Sequence, residues 1–407
     1  MKCRHCQNPL THVLIDLHHQ PASNAYLSVA DLERSEVYVP LKTFVCGSCW
    51  LVQIPSHHRP DELFTADYAY FSSVSSSWVQ HAARYVDAMI ARFGLNETSL
   101  VAEIASNDGY LLQHARDAGI PCLGIEPTAS TAAAARAKGI ETLELFFGAE
   151  TGRKLSSTRQ PADLIAANNV LAHVPDINDF VAGFAAWLAP DGVATFEFPH
   201  LMHLIDGCQF DTIYHEHYSY LSLTAVAIIF RSKGLRIFDV EELSTHGGSL
   251  RVFACLDGAS HSASPRVNAL LERERAAGLT DFGYYSDLQP RAKRLKLDLL
   301  TFLLDEKRAG RRVAAYGAAA KGNTLLNFAG VDADLVDFVC DAALSKQGRF
   351  LPGSHIPILA PDALLEAKPH SVLILPWNLK SEIVPQLSYI REWGGRFVTA
   401  VPRLEVW

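Results

Sequence analysis

Apolar residues in this chain fall into short continuous runs separated by stretches of helical period. Runs at 100–104 (LVAEI), 122–125 (CLGI), 141–146 (ETLELF), 163–170 (DLIAANNV) and 192–199 (GVATFEFP) are apolar at most positions and bounded by turn residues. Between them lie helix-like stretches: WVQHAARYVDAMIARFG before the first run, YLLQHARDAG after it, and an alanine-rich segment after Pro127. Strands that read as near-continuous apolar runs belong to parallel sheets buried on both faces. The alternation therefore predicts an α/β chain with a doubly wound sheet, in which ligands bind at the carboxyl ends of the strands. A second alternation follows. Charged helices (VNALLERERAAG, then LQPRAKRLKLDLLTFLLDEKRAG) precede the runs RVAAY, VDFVCD and SVLILPW, which predict another Rossmann-like unit.

The pattern before residue 65 is different. A β-like alternation (VYVPLKTFVCGSC) closes on Cys46 and Cys49, and a second Cys-x-x-Cys pair, Cys3 and Cys6, opens the chain. Two such pairs in one small module match a tetrahedral four-cysteine zinc site. Four thiolates leave no open position for catalysis, so the metal would be structural; two redox pairs or core cysteines are the competing reading. Three units are expected: 1–65 binding zinc, 66–257 with the first Rossmann-like sheet, and 258–407 with the second.

Composition narrows the class. The chain has 407 residues, 49% hydrophobic and 20% charged, with a net charge of −8. These values suit a globular enzyme and argue against nucleic-acid or anionic-membrane partners. With no apolar run of membrane-spanning length and no signal-peptide core, a cytoplasmic location is expected, where thiols stay reduced.

The candidate chemistry starts at the first strand end. Glu103, Ala105, Asn107 and Gly109 form a strand–loop–helix junction, and Glu126-Pro127 ends the next strand. This layout suits an S-adenosylmethionine (SAM) pocket, with the second acid on the ribose hydroxyls. Ala105 stands where glycine is expected, and the loop alone admits NAD nearly as well. Asn168-Asn169 followed by His173 favours SAM. Further on, Tyr214-His215-Glu216-His217-Tyr218 places five proton-handling residues in a row, each needing a partner if buried. As an extended segment it would put His215 and His217 on one face, which leaves a metal site open as an alternative.

Taken together, the double Cys-x-x-Cys module, EIASNDG, NNVLAHV, YHEHYSY, HGGSLRVF and YGAAAKGNTLLN resemble the deoxysugar C-methyltransferases, in the same order over nearly the whole chain. The resemblance is to the tetronitrose and mycarose-pathway carbon-3 methyltransferases. It implies a zinc-binding domain, a SAM-binding methyltransferase domain and a C-terminal Rossmann-like domain, working as a monomer on a nucleotide-diphosphate 4-keto-6-deoxy sugar. Carbon 3 is acidified by the neighbouring carbonyl, so a base and oxyanion donors are needed. By resemblance His217 is the base, Glu216 its partner or a sugar ligand, Tyr214 lies against the sugar oxygens and His173 near the enolate oxygen. Tyr70, or else Tyr68, closes the pocket. His173 has a second reading as the cap of the helix after Pro175.

Two further segments suit the nucleotide. His246, Ser249 and Arg251 combine small residues with an arginine fit for pyrophosphate, and Lys321 and Asn323 stand at a predicted helix start, a natural anion site. A turn between strands and a solvated lysine are the competing readings. An NAD-dependent nucleotide-sugar oxidoreductase or epimerase is the alternative enzyme, although neither glycine loop reads G-x-G-x-x-G. A zinc-ribbon recruitment module is the non-enzymatic one.

Overall fold

The computed structural model describes residues 1–57 and 71–407. Three sheets organise them. The central sheet has seven strands in the order Leu235–Leu243, Ser249–Leu256, Leu188–Pro199, Ala162–Asn168, Val101–Ile104, Cys122–Ile125, Thr142–Leu143. The last five are parallel; Ser249–Leu256 runs antiparallel to both of its neighbours. The expected parallel sheet is present, extended by an antiparallel hairpin. The strand expected at 141–146 shrinks to Thr142–Leu143 at the sheet edge.

Local sequence explains the elements. Val101–Ile104 is buried at every position, as a strand covered on both faces must be. Helix Ser76–Phe93 starts where the Ser75 side chain accepts the Trp78 amide, buries Ala82, Tyr85, Val86 and Met89 on one face, and stops at Gly94 in the left-handed region.

The C-terminal sheet runs Ile358–Leu359, Val339–Cys340, Val313–Tyr316, Ser371–Ile374, Arg396–Thr399, Glu405–Val406, parallel except for the last strand. The N-terminal sheet is antiparallel: His12–Gln20, Val39–Val45, Val52–Gln53, and then Ser219–Tyr220 from the far side of the methyltransferase-like segment. That fourth strand carries the end of the YHEHYSY run into the cysteine module.

The two long charged helices divide between units. Pro265–Ala277 sends Val267 and Leu270 into the central core, although the sequence division at 258 groups it with the third unit. Its Glu274 is buried, pairs with His200 at 2.7 Å, and caps helix Leu223–Arg231 by accepting the Leu223 and Thr224 amides at 2.7 Å. Leu288–Arg308 packs Leu288, Leu295, Leu299 and Leu303 into a core shared by the N-terminal and C-terminal sheets. Among the described residues no helix is long and apolar enough to cross a membrane.

Candidate active site

The carboxyl end of the central sheet holds a crevice of unsatisfied polar atoms. Strand Val101–Ile104 delivers Glu103 and passes into a loop where Ala105, Asn107 and Gly109 have φ of 58°, 50° and 75°. The left-handed region is why glycine is expected at the first position. Alanine occupies it at a cost of about 1 kcal/mol, and the turn survives. Glu126 reaches the end of the next strand, where its carboxylate accepts the Asn107 and Thr128 amides, each at 2.9 Å. It therefore fixes the loop as well as facing the crevice, with Pro127 leading out of the strand. Asn107 Oδ1 in turn accepts the Ser72 amide at 2.9 Å.

Burial raises the Glu103 carboxyl well above its usual range, against the hydrogen bond from Tyr110. Glu103 Oε2, Ser106 Oγ, Asn168 Oδ1 and Asn169 Oδ1 are buried without a partner in the protein. Each such atom costs about 1–3 kcal/mol, so four at adjacent strand ends mark a place where a polar ligand completes the structure. A donor-rich and hydroxyl-rich molecule such as SAM fits that set.

Beside this crevice sits a cluster of imidazoles. Residues 214–217 form a turn rather than an extended segment, closed by the His217 amide donating to the Tyr214 carbonyl at 3.0 Å. The turn sends its side chains in separate directions. Through its Nε2–H, His215 donates to the Pro40 carbonyl at 3.3 Å, toward the N-terminal sheet. Glu216 receives Asn24 Nδ2 on both oxygens at 2.8 Å. His217 faces His173, ring centroids 4.6 Å apart, and Tyr214 at 4.0 Å. The shared face on which the metal alternative rested is therefore not formed.

His217 Nδ1 donates to the Thr212 carbonyl at 2.9 Å, which leaves the Nε2 lone pair as the reactive one. Burial, then the neighbouring His173, push its pKa well below 6.5, with His246 and Lys321 adding to the effect. Burial brings His173 down to about 4, opposed by a hydrogen bond to the Glu216 backbone. The helix after Pro175 is capped by Asp176, whose side chain accepts the Asp179 amide, so His173 does not serve as its cap. Burial lifts Glu216 to about 7, opposed by Asn24.

The segments expected to hold a nucleotide divide. His246, at φ 54°, turns its ring toward the crevice, where Nε2 lies 3.3 Å from the Asn169 amide nitrogen. Lys321 is half-buried, donates to Asn378 Oδ1 at 2.7 Å and lies 4.8 Å above the Trp377 ring. Burial lowers its pKa, opposed by Asp211. Asp211 accepts Trp377 Nε1 at 2.7 Å and is raised to about 6 by burial.

Three expectations are corrected. Arg251 does not present its charge to a pyrophosphate: it is buried against Glu197 at 2.8 Å and Glu241 at 3.3 Å, 4.7 Å over the Tyr85 ring. Ser249 is buried and donates to the Thr245 carbonyl at 2.9 Å. Asn323 stands in the first turn of helix Ala320–Ala329, as expected, but its amide is spent on the Ser23 carbonyl at 2.6 Å, tying the C-terminal sheet to the N-terminal module rather than meeting an anion. Tyr70 and Tyr68 lie outside the described residues.

Sequence reasoning missed several neighbours. Trp78 stacks on His81 at 4.8 Å and meets His246 edge-on at 5.4 Å. Their i, i+3 spacing on an amphipathic helix was a legible cue. Asn24, Asp211 and Trp377 carried no local cue.

In the cysteine module, Cys3 and Cys49 Sγ are 3.5 Å apart, as are those of Cys6 and Cys46, and all four lie within 4.8 Å of one another. Tetrahedral zinc with bonds of about 2.3 Å requires sulfur–sulfur separations of roughly 3.8 Å, so the set fits the ion. Both knuckles fold alike: the Gln7 amide returns to the Cys3 carbonyl and the Trp50 amide to the Cys46 carbonyl, each at 3.0 Å. Gln53 Nε2 donates to Cys3 Sγ at 3.2 Å, the kind of outer contact that holds a ligating thiolate in place.

Three family profiles match in sequence order: a zinc binding domain at residues 3–64, a methyltransferase domain at 78–240, and a C-methyltransferase C-terminal domain at 244–402. The C-methyltransferase NovU of Streptomyces niveus is 35% identical over 405 residues, covering 100% of this chain and 96% of that protein. A ubiquinone biosynthesis O-methyltransferase of Rhodopseudomonas palustris (strain BisA53) is 26% identical over 149 residues, 31% of this chain and 59% of that protein. Among solved structures, magnesium protoporphyrin IX methyltransferase (ChlM) from Synechocystis PCC 6803 with bound SAM aligns with a TM-score of 0.36 at 14% identity, covering 49% of this chain and 99% of that one.

Proposed function

This chain belongs to the C-methyltransferase family of SAM-dependent enzymes, with a zinc-binding N-terminal domain, and on that premise we propose that it methylates carbon 3 of a nucleotide-linked 4-keto-6-deoxy sugar in deoxysugar biosynthesis. The family match sets aside the NAD-dependent alternative. In this reading residues 1–65 hold zinc, 66–257 hold SAM, and 258–407 contribute the nucleotide contacts, the whole acting as a cytoplasmic monomer.

The observation that carries the proposal is the His217 tautomer. Its Nδ1–H is committed to Thr212, and its Nε2 lone pair stands in the half-buried imidazole cluster beside the polar crevice. An imidazole held neutral there takes a proton from an acidified C–H bond without first losing one. SAM, when bound, supplies the electrophilic methyl group.

The protein's own part follows. His217 Nε2 takes the carbon-3 proton, and the electron pair moves into the ring as an enolate, its charge on the carbonyl oxygen. We assign that oxygen to the Tyr214 hydroxyl, on the ring packed at the His217 imidazole, with His173 beside it as a neutral neighbour whose N–H is held by the Glu216 backbone. Lys321, beside Asp211 and Trp377, offers a half-buried positive charge for the diphosphate, and His246 orients Asn169 toward the cofactor crevice. Glu216, held by Asn24, serves the sugar hydroxyls rather than the proton transfer.

Purified protein incubated with SAM and a panel of nucleotide 4-keto-6-deoxy sugars tests this by mass spectrometry. One member is expected to gain a single methyl group that acid hydrolysis leaves on the sugar carbon. Methyl transfer to oxygen, or to none of the panel, overturns the proposed substrate.

A further inference from the structure

The zinc module touches the histidine cluster through one side chain. Arg4 lies inside the first knuckle, between Cys3 and Cys6, and its own amide donates to Gln53 Oε1 at 2.8 Å. From there its guanidinium forks. Nη1 donates to the Pro175 carbonyl at 2.7 Å, and Nη2 to the Ile54 carbonyl at 2.6 Å. Pro175 is two residues beyond His173. Ile54 in turn donates its amide to the Tyr218 carbonyl at 3.2 Å, and Tyr218 follows His217. The guanidinium also lies 5.3 Å over the Tyr218 ring. One planar group thus bonds the His173 side directly at Pro175 and reaches the His217 side through Ile54 and the Tyr218 ring.

The neighbours of Arg4 reinforce the same joint. His5 Nδ1 donates to Asn178 Oδ1 at 2.7 Å, and Asn178 Nδ2 returns to the His5 carbonyl at 2.9 Å. Asn178 is in helix Ile177–Trp187, directly after the His173 segment. On the other side, Val52–Gln53 pairs with Ser219–Tyr220, directly after the His217 segment. Among the described residues Arg4 has no carboxylate at ion-pair distance; carbonyls and an aromatic face receive its charge. A half-buried cation so placed adds little stability, whereas a rigid five-donor fork is well suited to fixing two carbonyls in a set relation.

We propose that Arg4 is a positioning residue through which the zinc knuckle sets the spacing of His173 and His217. The proposal rests on the reading of those histidines as the proton-handling pair. Misplacing reacting groups by about 1 Å costs on the order of 10²-fold in rate, so a lost clamp shows mainly in kcat.

The experiment uses full-length, zinc-loaded protein with ring-¹⁵N-labelled histidine, the His173 and His217 resonances being assigned by His173→Gln and His217→Gln. Arg4→Ala is expected to shift both resonances while zinc content stays at one per chain and SAM affinity is unchanged. Arg4→Lys, which keeps the charge but cannot fork, is expected to restore part of the shift. With an accepted sugar substrate, kcat falls about 10²-fold and KM moves far less. Unmoved His173 and His217 resonances in Arg4→Ala overturn the proposal, as does an equal disturbance of all 17 histidines. Should Arg4→Ala not fold, Arg4→Lys and Asn178→Ala decide: both must move the His173 resonance. The resonances are read without any substrate, so failure of the sugar assay and failure of the clamp are told apart.

Discussion

Replacing His217 with alanine is expected to slow methyl transfer by about 10²–10⁴-fold, the usual worth of a positioned general base, while SAM still binds. The variant removes the Nε2 lone pair but leaves the crevice at Glu103, Asn168 and Asn169 untouched, so isothermal titration with SAM should give the wild-type affinity. Full activity in His217→Ala would remove this residue from the chemistry. The pH profile separates the two candidate bases. A base works only when deprotonated, so kcat/KM falls as pH drops through its pKa. His217 is pushed well below 6.5 by burial and by His173, whereas Glu216 is lifted to about 7 by burial. If His217 is the base, the acid limb lies below the ordinary histidine range and persists in Glu216→Gln. A limb near pH 7 that vanishes in Glu216→Gln would transfer the role to the carboxylate. The geometry favours the first outcome, because Asn24 occupies both oxygens of Glu216.

Removing the zinc is expected to undo the N-terminal module and, with it, catalysis. Structural zinc in small modules is bound with an apparent free energy on the order of 10 kcal/mol, which is also folding free energy. Here the four cysteines tie the segment before strand His12–Gln20 to the turn between Val39–Val45 and Val52–Gln53, in a small sheet whose fourth strand, Ser219–Tyr220, continues from the His217 turn. Strong chelation, or Cys46→Ser, should release the metal, expose residues 1–57 to limited proteolysis and abolish methyl transfer. The SAM crevice is built on other strands, so the cofactor should still bind. Retention of proteolytic resistance and activity in protein shown by elemental analysis to be zinc-free would refute a structural role for the metal.

Much of the site could be read before folding. Glu103, Glu126 and Asn168 sit at strand ends, with His173 in the short helix Leu171–His173 that follows, and a strand end is a local property of periodicity and turn residues. The Cys-x-x-Cys pairs were legible for the same reason, since their spacing is that of a knuckle. Arg251 misled because an arginine beside two glycines looks the same in sequence whether its charge meets a ligand or a buried glutamate. Only the strand register, which places Arg251 opposite Glu197 and Glu241, distinguishes them. Asn323 misled in a similar way: it is in the first turn of its helix, but its amide is spent on Ser23.

By itself, the sequence determined the three-unit α/β organisation, the four-cysteine module and the presence of the Tyr214–Tyr218 run, because each follows from local period and spacing. The tertiary structure alone decided where that run points. It bends into a turn, so His215, Glu216 and His217 face three different partners, and the next two residues, Ser219 and Tyr220, join a sheet begun near the N-terminus. Contacts such as Arg4 to Pro175, 171 residues apart, are selected by the packing of whole elements. No local pattern encodes them, because burial and hydrogen bonding are satisfied only once the units have docked.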